Sequence, residues 1–182
     1  RIPNFTFEVR RSVKFTPSVE DKVKDIVIIP GAGEFVYSSA VTSKQDGYFA
    51  YFGGAFTPSG NKSFTNMHNY DGKADMLVAI DQLEKTLPNL EWVAVVVTWF
   101  ATSTDAGACR IIPKVEFHGT TQVLPQDWSV TGISRASAEL VLFFDADTPT
   151  YGGTPSDHTV LQICQELKNR GLNVMLYPMI FV

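Results

Sequence analysis

The run "EWVAVVVTWF", Glu91 to Phe100, constrains the fold of this chain more than any other stretch. It is nearly continuously apolar, where a half-buried strand would alternate apolar and polar residues. Strands of this kind are covered on both faces, as in parallel sheets, and a parallel partner must be reached by a crossover. The downstream sequence supplies one. Pro155 to Arg170 reads as a helix, Gly171 as its stop, and Asn173 onward as a second buried strand. Thr154 is the expected N-cap, Pro155 suits the first helical position, and Asp157 complements the helix dipole. Val160, Ile163, Cys164 and Leu167 form the apolar stripe, and Gly152 and Gly153 let the chain turn into the helix. Between strand and helix lie "CRIIPKVEF", "QDWSVTG" and "AELVLFFDAD", short β-type segments that make the first loop of the crossover a β-rich excursion.

Upstream, "KADMLVAIDQLEKTLPNL" puts Met76, Leu77, Ile80, Leu83 and Leu87 on one helical face and ends near Pro88. "NFTFEV" alternates Phe5 and Phe7 with polar neighbours, a strand pattern. "TPSVEDKVKD" reads as a short helix capped by Ser18, with Asp21 in a capping-box position. "DIVIIPGAGEFVYSSAVT" is β-rich, and Asp46 to Lys73 reads as a long loop or irregular excursion. Buried strands joined through helices define an α/β class, built as an open doubly wound sheet or a barrel. The 182 residues suffice for one large domain, or a domain with an extra piece.

Charge and cysteine content narrow the function. A net charge of -4 and a pI near 5.3 give no general attraction to nucleic acid or anionic lipid. Arg10, Arg11 and Lys14 are countered by Glu20, Asp21 and Asp25, so the N-terminus is not a basic arm. No apolar run approaches the roughly 20 residues of a membrane span. Cys109 and Cys164 stand in no C-x-x-C arrangement and read as reduced, largely buried thiols. His68, His118 and His158 have no ligand spacing, and His158 is expected to be solvated in the first turn of its helix.

Three stretches offer chemistry, each with a plainer reading. "IVIIPGAGEFV" begins like a dinucleotide fingerprint, but Val36 occupies the third glycine position and no helix start follows. No cofactor is expected from it. "LVLFFDADT" delivers Asp145 and Asp147 after an apolar strand, as in the metal-binding D-x-D of nucleotide-sugar glycosyltransferases. An acidic turn explains the same residues, so no metal is expected. Asp105 and Glu116 follow the buried strand, where barrel active sites form, and two carboxylates there could serve a glycosidase. A loop aspartate and an outward-facing strand glutamate explain them as well. Trp99 and Phe100, at the end of the strand, could stack on sugar rings or pack in the core.

Six stretches together resemble one family. They are "IPGAGEFVY", "DQLEKTLPNLEWVAVVVTWF", "GACRIIPKVE", "WSVTGISRA", "YGGTPSDHTV" and "LKNRGLNVMLYPMI", in order from about Ile28 to the C-terminus. The chain resembles the TIM-barrel-like, glycoside-hydrolase-like domain of the large baseplate protein ("megatron") of gene transfer agents and related tailed phages. The resemblance implies an incomplete (β/α) TIM-barrel-like domain over residues 28–182 that continues past Val182. Residues 1–27 would then be a β segment of a preceding tail-tube or hub region. It also implies a virion structural protein at the tail tip or baseplate, assembled in the bacterial cytoplasm. The implied partners are other tail-tip proteins, further copies of the chain and a host surface glycan. It assigns no catalytic residues. "TWFATSTDAGACR" and "FFDADTPTYGG" depart from the family as variable loops, which leaves Asp105, Asp145 and Asp147 without a family role.

Overall fold

The computed structural model describes residues 17–30, 33–49, 55–119, 121–145 and 148–182. Phe5, Phe7, Arg10, Arg11, Lys14 and Asp147, all named above, lie outside the described residues. In chain order the elements are β1 (Asp25–Ile28), β2 (Ser43–Phe49), β3 (Phe56–Phe64), α1 (Asp75–Thr86), β4 (Trp92–Ala101), β5 (Ile111–Ile112), β6 (Lys114–Val115) and β7 (Thr121–Leu124). They continue with β8 (Ser129–Val130), β9 (Ile133–Ser134), β10 (Glu139–Leu140), α2 (Asp157–Asn169) and β11 (Asn173–Phe181).

The apolar run forms β4, the centre of the main sheet. β1 and β11 pair with it in parallel on either side, and β5 adds a short antiparallel contact at its end. β1 straddles residue 27, so residues on both sides of that position share the sheet. The register aligns Ile26 and Val174 with Val93, and Ile28 with Val95, which places these side chains on one face. Met76 and Ile80 of α1 and Ile163 and Leu167 of α2 pack against that face with the buried Tyr37. Both helices therefore cover the same side of the sheet. On the other side Val27 and Met175 are more than half exposed.

Each helix is legible in its sequence. α1 buries Met76 and Ile80 of the expected stripe, leaves Leu77, Leu83 and the adjoining Leu87 half-buried, and stops before Pro88. α2 ends in a Schellman motif: the Leu172 amide donates to Leu167 O and the Gly171 amide to Lys168 O, with Gly171 at φ +81°. Its start differs from expectation. The N-cap is Ser156, not Thr154, and the Ser156 hydroxyl makes no cap bond. Instead it donates to Ser129 O and accepts from the Ser129 amide, fastening β8 to the helix entrance.

The expected fold class, an α/β incomplete TIM-barrel-like domain, is corrected by this architecture. The described residues are sheet-rich, 35% strand against 18% helix, with two α-helices and mixed sheets among them. An α/β barrel puts a helix after every strand. Here only α1 and α2 join strands of the parallel sheet, and the remaining β segments pair among themselves. β3, β2 and β7 form an antiparallel sheet, β8 and β9 a hairpin, and β6 and β10 a short parallel pair. The stretch Asp46 to Lys73, read as irregular, contributes most of β2 and β3. Its strands are polar and glycine-containing, so they show no apolar alternation and are held by the backbone ladder.

Other expectations shift in detail. The Ser18 segment forms a single turn, with the Ser18 amide and hydroxyl both bonded to Asp21 Oδ2. β11 is not fully buried: Met175, Leu176, Tyr177 and Ile180 are exposed, since among the described residues it pairs only with β4. Both cysteines are half-buried free thiols. No helix among the described residues is long and apolar enough to cross a membrane.

Candidate functional site

The C-terminal ends of β1, β4 and β11 open onto a cavity of about 230 Å³, whose walls include Ile29, Thr98, Glu116, Tyr151, Gly153 and Met179. The crevice beyond the carboxyl ends of parallel strands is where ligands bind in open α/β sheets. Beneath this cavity lies a buried polar network that joins four stretches distant in sequence.

Its centre is an ion pair between Glu34 and Arg135, 1% and 6% exposed. The guanidinium grips the carboxylate with two bonds, Nη1 to Oε1 at 2.9 Å and Nη2 to Oε2 at 2.6 Å. This bidentate form is the strong one for an arginine–carboxylate pair. Arg135 Nε also bonds Asp127 at 2.9 Å, Nη1 reaches Phe117 O, and the guanidinium lies 3.9 Å from the centre of the Phe117 ring. Glu34 Oε1 accepts a further bond from the Glu116 amide at 2.6 Å. Burial pushes the Glu34 carboxyl up, to about 7, against the pull of Arg135. Burial works against the charge on Arg135, but the Glu34 and Asp127 carboxylates outweigh it and hold the guanidinium above its ordinary value.

Glu116 extends the network into the cavity. It follows β6, which is strapped to the stretch before α2 by Lys114 N to Thr154 Oγ1 and Thr154 N to Lys114 O. Glu116 Oε1 accepts from the Gly153 amide at 2.9 Å, and Thr98 Oγ1 donates to Gly153 O. Among the described residues no hydrogen bond reaches Glu116 Oε2, and the residue lines the cavity. Gly153 is needed for close approach: a Cβ there would lie 2.9 Å from both Glu34 Cγ and Lys114 O. The buried Trp128 closes the underside, its indole N–H donating to Thr154 O at 2.7 Å.

The residues singled out in the sequence separate in space. Glu116 faces the cavity. Asp105 sits in the exposed turn after β4, where Oδ1 accepts from the Gly107 amide, and does not line the cavity. Trp99 packs against a further core cluster, made of Phe35, Val115, Val123, Trp128, Val130 and Ala138. Phe100 is buried, its ring 5.9 Å from that of Phe181. Asp145 Oδ1 accepts from the Thr148 amide in an exposed turn. No group of three or more potential metal ligands occurs among the described residues.

His158 is half-buried rather than solvated. Its Nδ1 lies 2.9 Å from Ser156 Oγ, and burial holds the ring below its ordinary pKa. Sequence reasoning missed Glu34, Arg135 and Tyr151. The first two stand 101 positions apart, so no local spacing links them. The only available signal was that both fall inside the ordered segments quoted above. No family model matches the chain, and no curated protein matches it.

Proposed function

We propose that the chain is a structural and assembly module of a phage or gene-transfer-agent tail tip or baseplate, holding neighbouring tail proteins and further copies of itself. One observation carries this reading. Four of the six segments that resemble the tail-tip family meet in a single buried network: Glu34 from "IPGAGEFVY", Glu116 from "GACRIIPKVE", Arg135 from "WSVTGISRA" and Gly153 from "YGGTPSDHTV". The resembling segments thus supply the framework of this fold. The most strongly perturbed carboxyl, Glu34, has both oxygens engaged in cross-linking that framework. The test is immunogold labelling of tailed particles with an antibody to this chain. Label at the distal end of the tail is expected. Unlabelled particles, with the protein recovered as a free monomer, would overturn the reading.

A second reading, a glycoside hydrolase acting on cell-wall or surface glycans, is favoured by a narrower observation. Glu116 lines the cavity, and among the described residues no hydrogen bond reaches its Oε2, which leaves a carboxyl facing any glycan bound there. It requires release of reducing sugar from envelope material and its loss in Glu116→Gln. Intact glycan after prolonged incubation removes it.

A further inference from the structure

Tyr151 gives the cavity an aromatic wall. Its ring stacks on Phe181 with centroids 4.6 Å apart and planes 23° from parallel. Phe181 in turn lies against Phe100 of the central strand, so the stack is anchored on the sheet. Tyr151 remains 43% exposed. It borders both the Glu116 cavity and a neighbouring groove lined by Arg110, Lys114 and Glu139.

The chemistry of these walls selects a ligand. Glu116 Oε2 is an acceptor-only atom, so its partner must bring a donor. An inorganic anion would be repelled by it, and a purely apolar ligand would leave it desolvated and unpaired. A quaternary ammonium calls for aromatic faces enclosing it, whereas Phe100, Phe181 and Tyr151 form a one-sided stack. A sugar ring meets both demands: its C–H face lies on an aromatic ring while its hydroxyls donate to the carboxylate. The volume of about 230 Å³ falls below the roughly 300–1,000 Å³ of sites for drug-sized ligands. It suits one sugar unit, with the rest of the chain running over Tyr151 into the groove.

We infer that this cavity is a glycan-binding subsite in which Tyr151 is the stacking platform and Glu116 the hydroxyl acceptor. The tail-tip reading enters only in saying where such a glycan would be met, on a host envelope. The platform is thus Tyr151, rather than the strand residues Trp99 and Phe100, both of which are engaged in packing.

The test is amide NMR titration of the full chain with chitotriose, cellotriose and maltotriose in turn. At least one sugar is expected to move the Thr98, Tyr151 and Gly153 amides at millimolar concentration. Tyr151→Ala should weaken binding about tenfold or more, while Tyr151→Phe stays within about threefold, since the ring provides the contact. Glu116→Gln keeps the acceptor for the Gly153 amide and should weaken binding about tenfold to a hundredfold, the range for loss of one charge-assisted hydrogen bond. Retained amide dispersion in each variant shows that the fold is intact. The inference is overturned if none of the three sugars moves these amides, or if Tyr151→Ala binds as the parent does. Tetramethylammonium moving the same amides at lower concentration than every sugar would overturn it too. Sugar binding with unlabelled tails would remove the tail-tip reading and leave this subsite standing.

Discussion

Replacing Arg135 with methionine tests the network at its centre. The change removes the two bonds to Glu34, the Nε bond to Asp127, the contact with Phe117 O and the cation over the Phe117 ring. Methionine fills much of the volume, so the main loss is electrostatic: Glu34, 1% exposed, is left without its counter-ion. Breaking a buried pair from one side costs about 3–5 kcal/mol, a large share of the roughly 5–15 kcal/mol that holds a domain together. The cost should depend on pH. Below the ordinary carboxylate range Glu34 is protonated with or without Arg135, and little charge is stranded. At pH 8 the parent's Glu34 is ionised and paired, a pairing the variant lacks, so the loss is larger there. Urea unfolding followed by the fluorescence of the buried Trp128 would measure both limits. The double variant Glu34→Gln with Arg135→Met keeps an acceptor for the Glu116 amide and strands no charge. It should recover to within about 2 kcal/mol of the parent at pH 8. A pH-independent loss for Arg135→Met, or a double variant no better than the single, would refute the reasoning.

Three further outcomes are expected. In the parent chain the Glu34 carboxyl rises from an ordinary 4.5 to about 7, so the folded state keeps a proton that the unfolded state has lost. Its contribution is complete below pH 4.5 and disappears as pH rises through 7, about 3 kcal/mol in all, and Glu34→Gln should abolish it. His158 has the opposite sign, because burial lowers its pKa and its contribution is lost as pH falls; the Glu34→Gln comparison therefore isolates the carboxyl. Gly153→Ala should cost about 1–3 kcal/mol, since its Cβ meets backbone at Lys114 O, and a chemical melt showing no loss would mean that the stretch shifts freely. Thr131 holds a φ of +50° in the two-residue turn between β8 and β9, followed by Gly132 at +83°. Thr131→Asn should stabilise by about 1 kcal/mol, because a β-branched residue is strained there; a lower melting temperature would refute this.

The elements the sequence announced are those whose signal is local. The apolar run of β4, the stripes of α1 and α2 and the Gly171 stop each follow from neighbours a few residues apart. The strands at Ser43–Phe49 and Phe56–Phe64 were missed because their order comes from backbone pairing with each other and with Thr121–Leu124. Composition cannot reveal such pairing. The fold class was misjudged for a related reason: one crossover with a long excursion has the same periodicity whether the excursion forms further β/α units or separate antiparallel sheets.

The candidate site divides along the same line. Glu116 stood out as a carboxylate downstream of a buried strand. Its acceptor role depends on Gly153, 37 positions away, and on Glu34, 82 positions away. "TPTYGGTPSDHTV" shows the division most closely. From sequence its glycines were a turn and Thr154 a cap. In the fold Gly153 is the point where Glu34 and Lys114 come too close for a side chain, while Thr154 Oγ1 serves the Lys114 amide and Ser156 takes the N-cap position without a cap bond. Local propensity and periodicity determined where the central strand and helices run. Only the tertiary structure decided which distant polar groups become buried together, because desolvation and close contact arise when the segments pack.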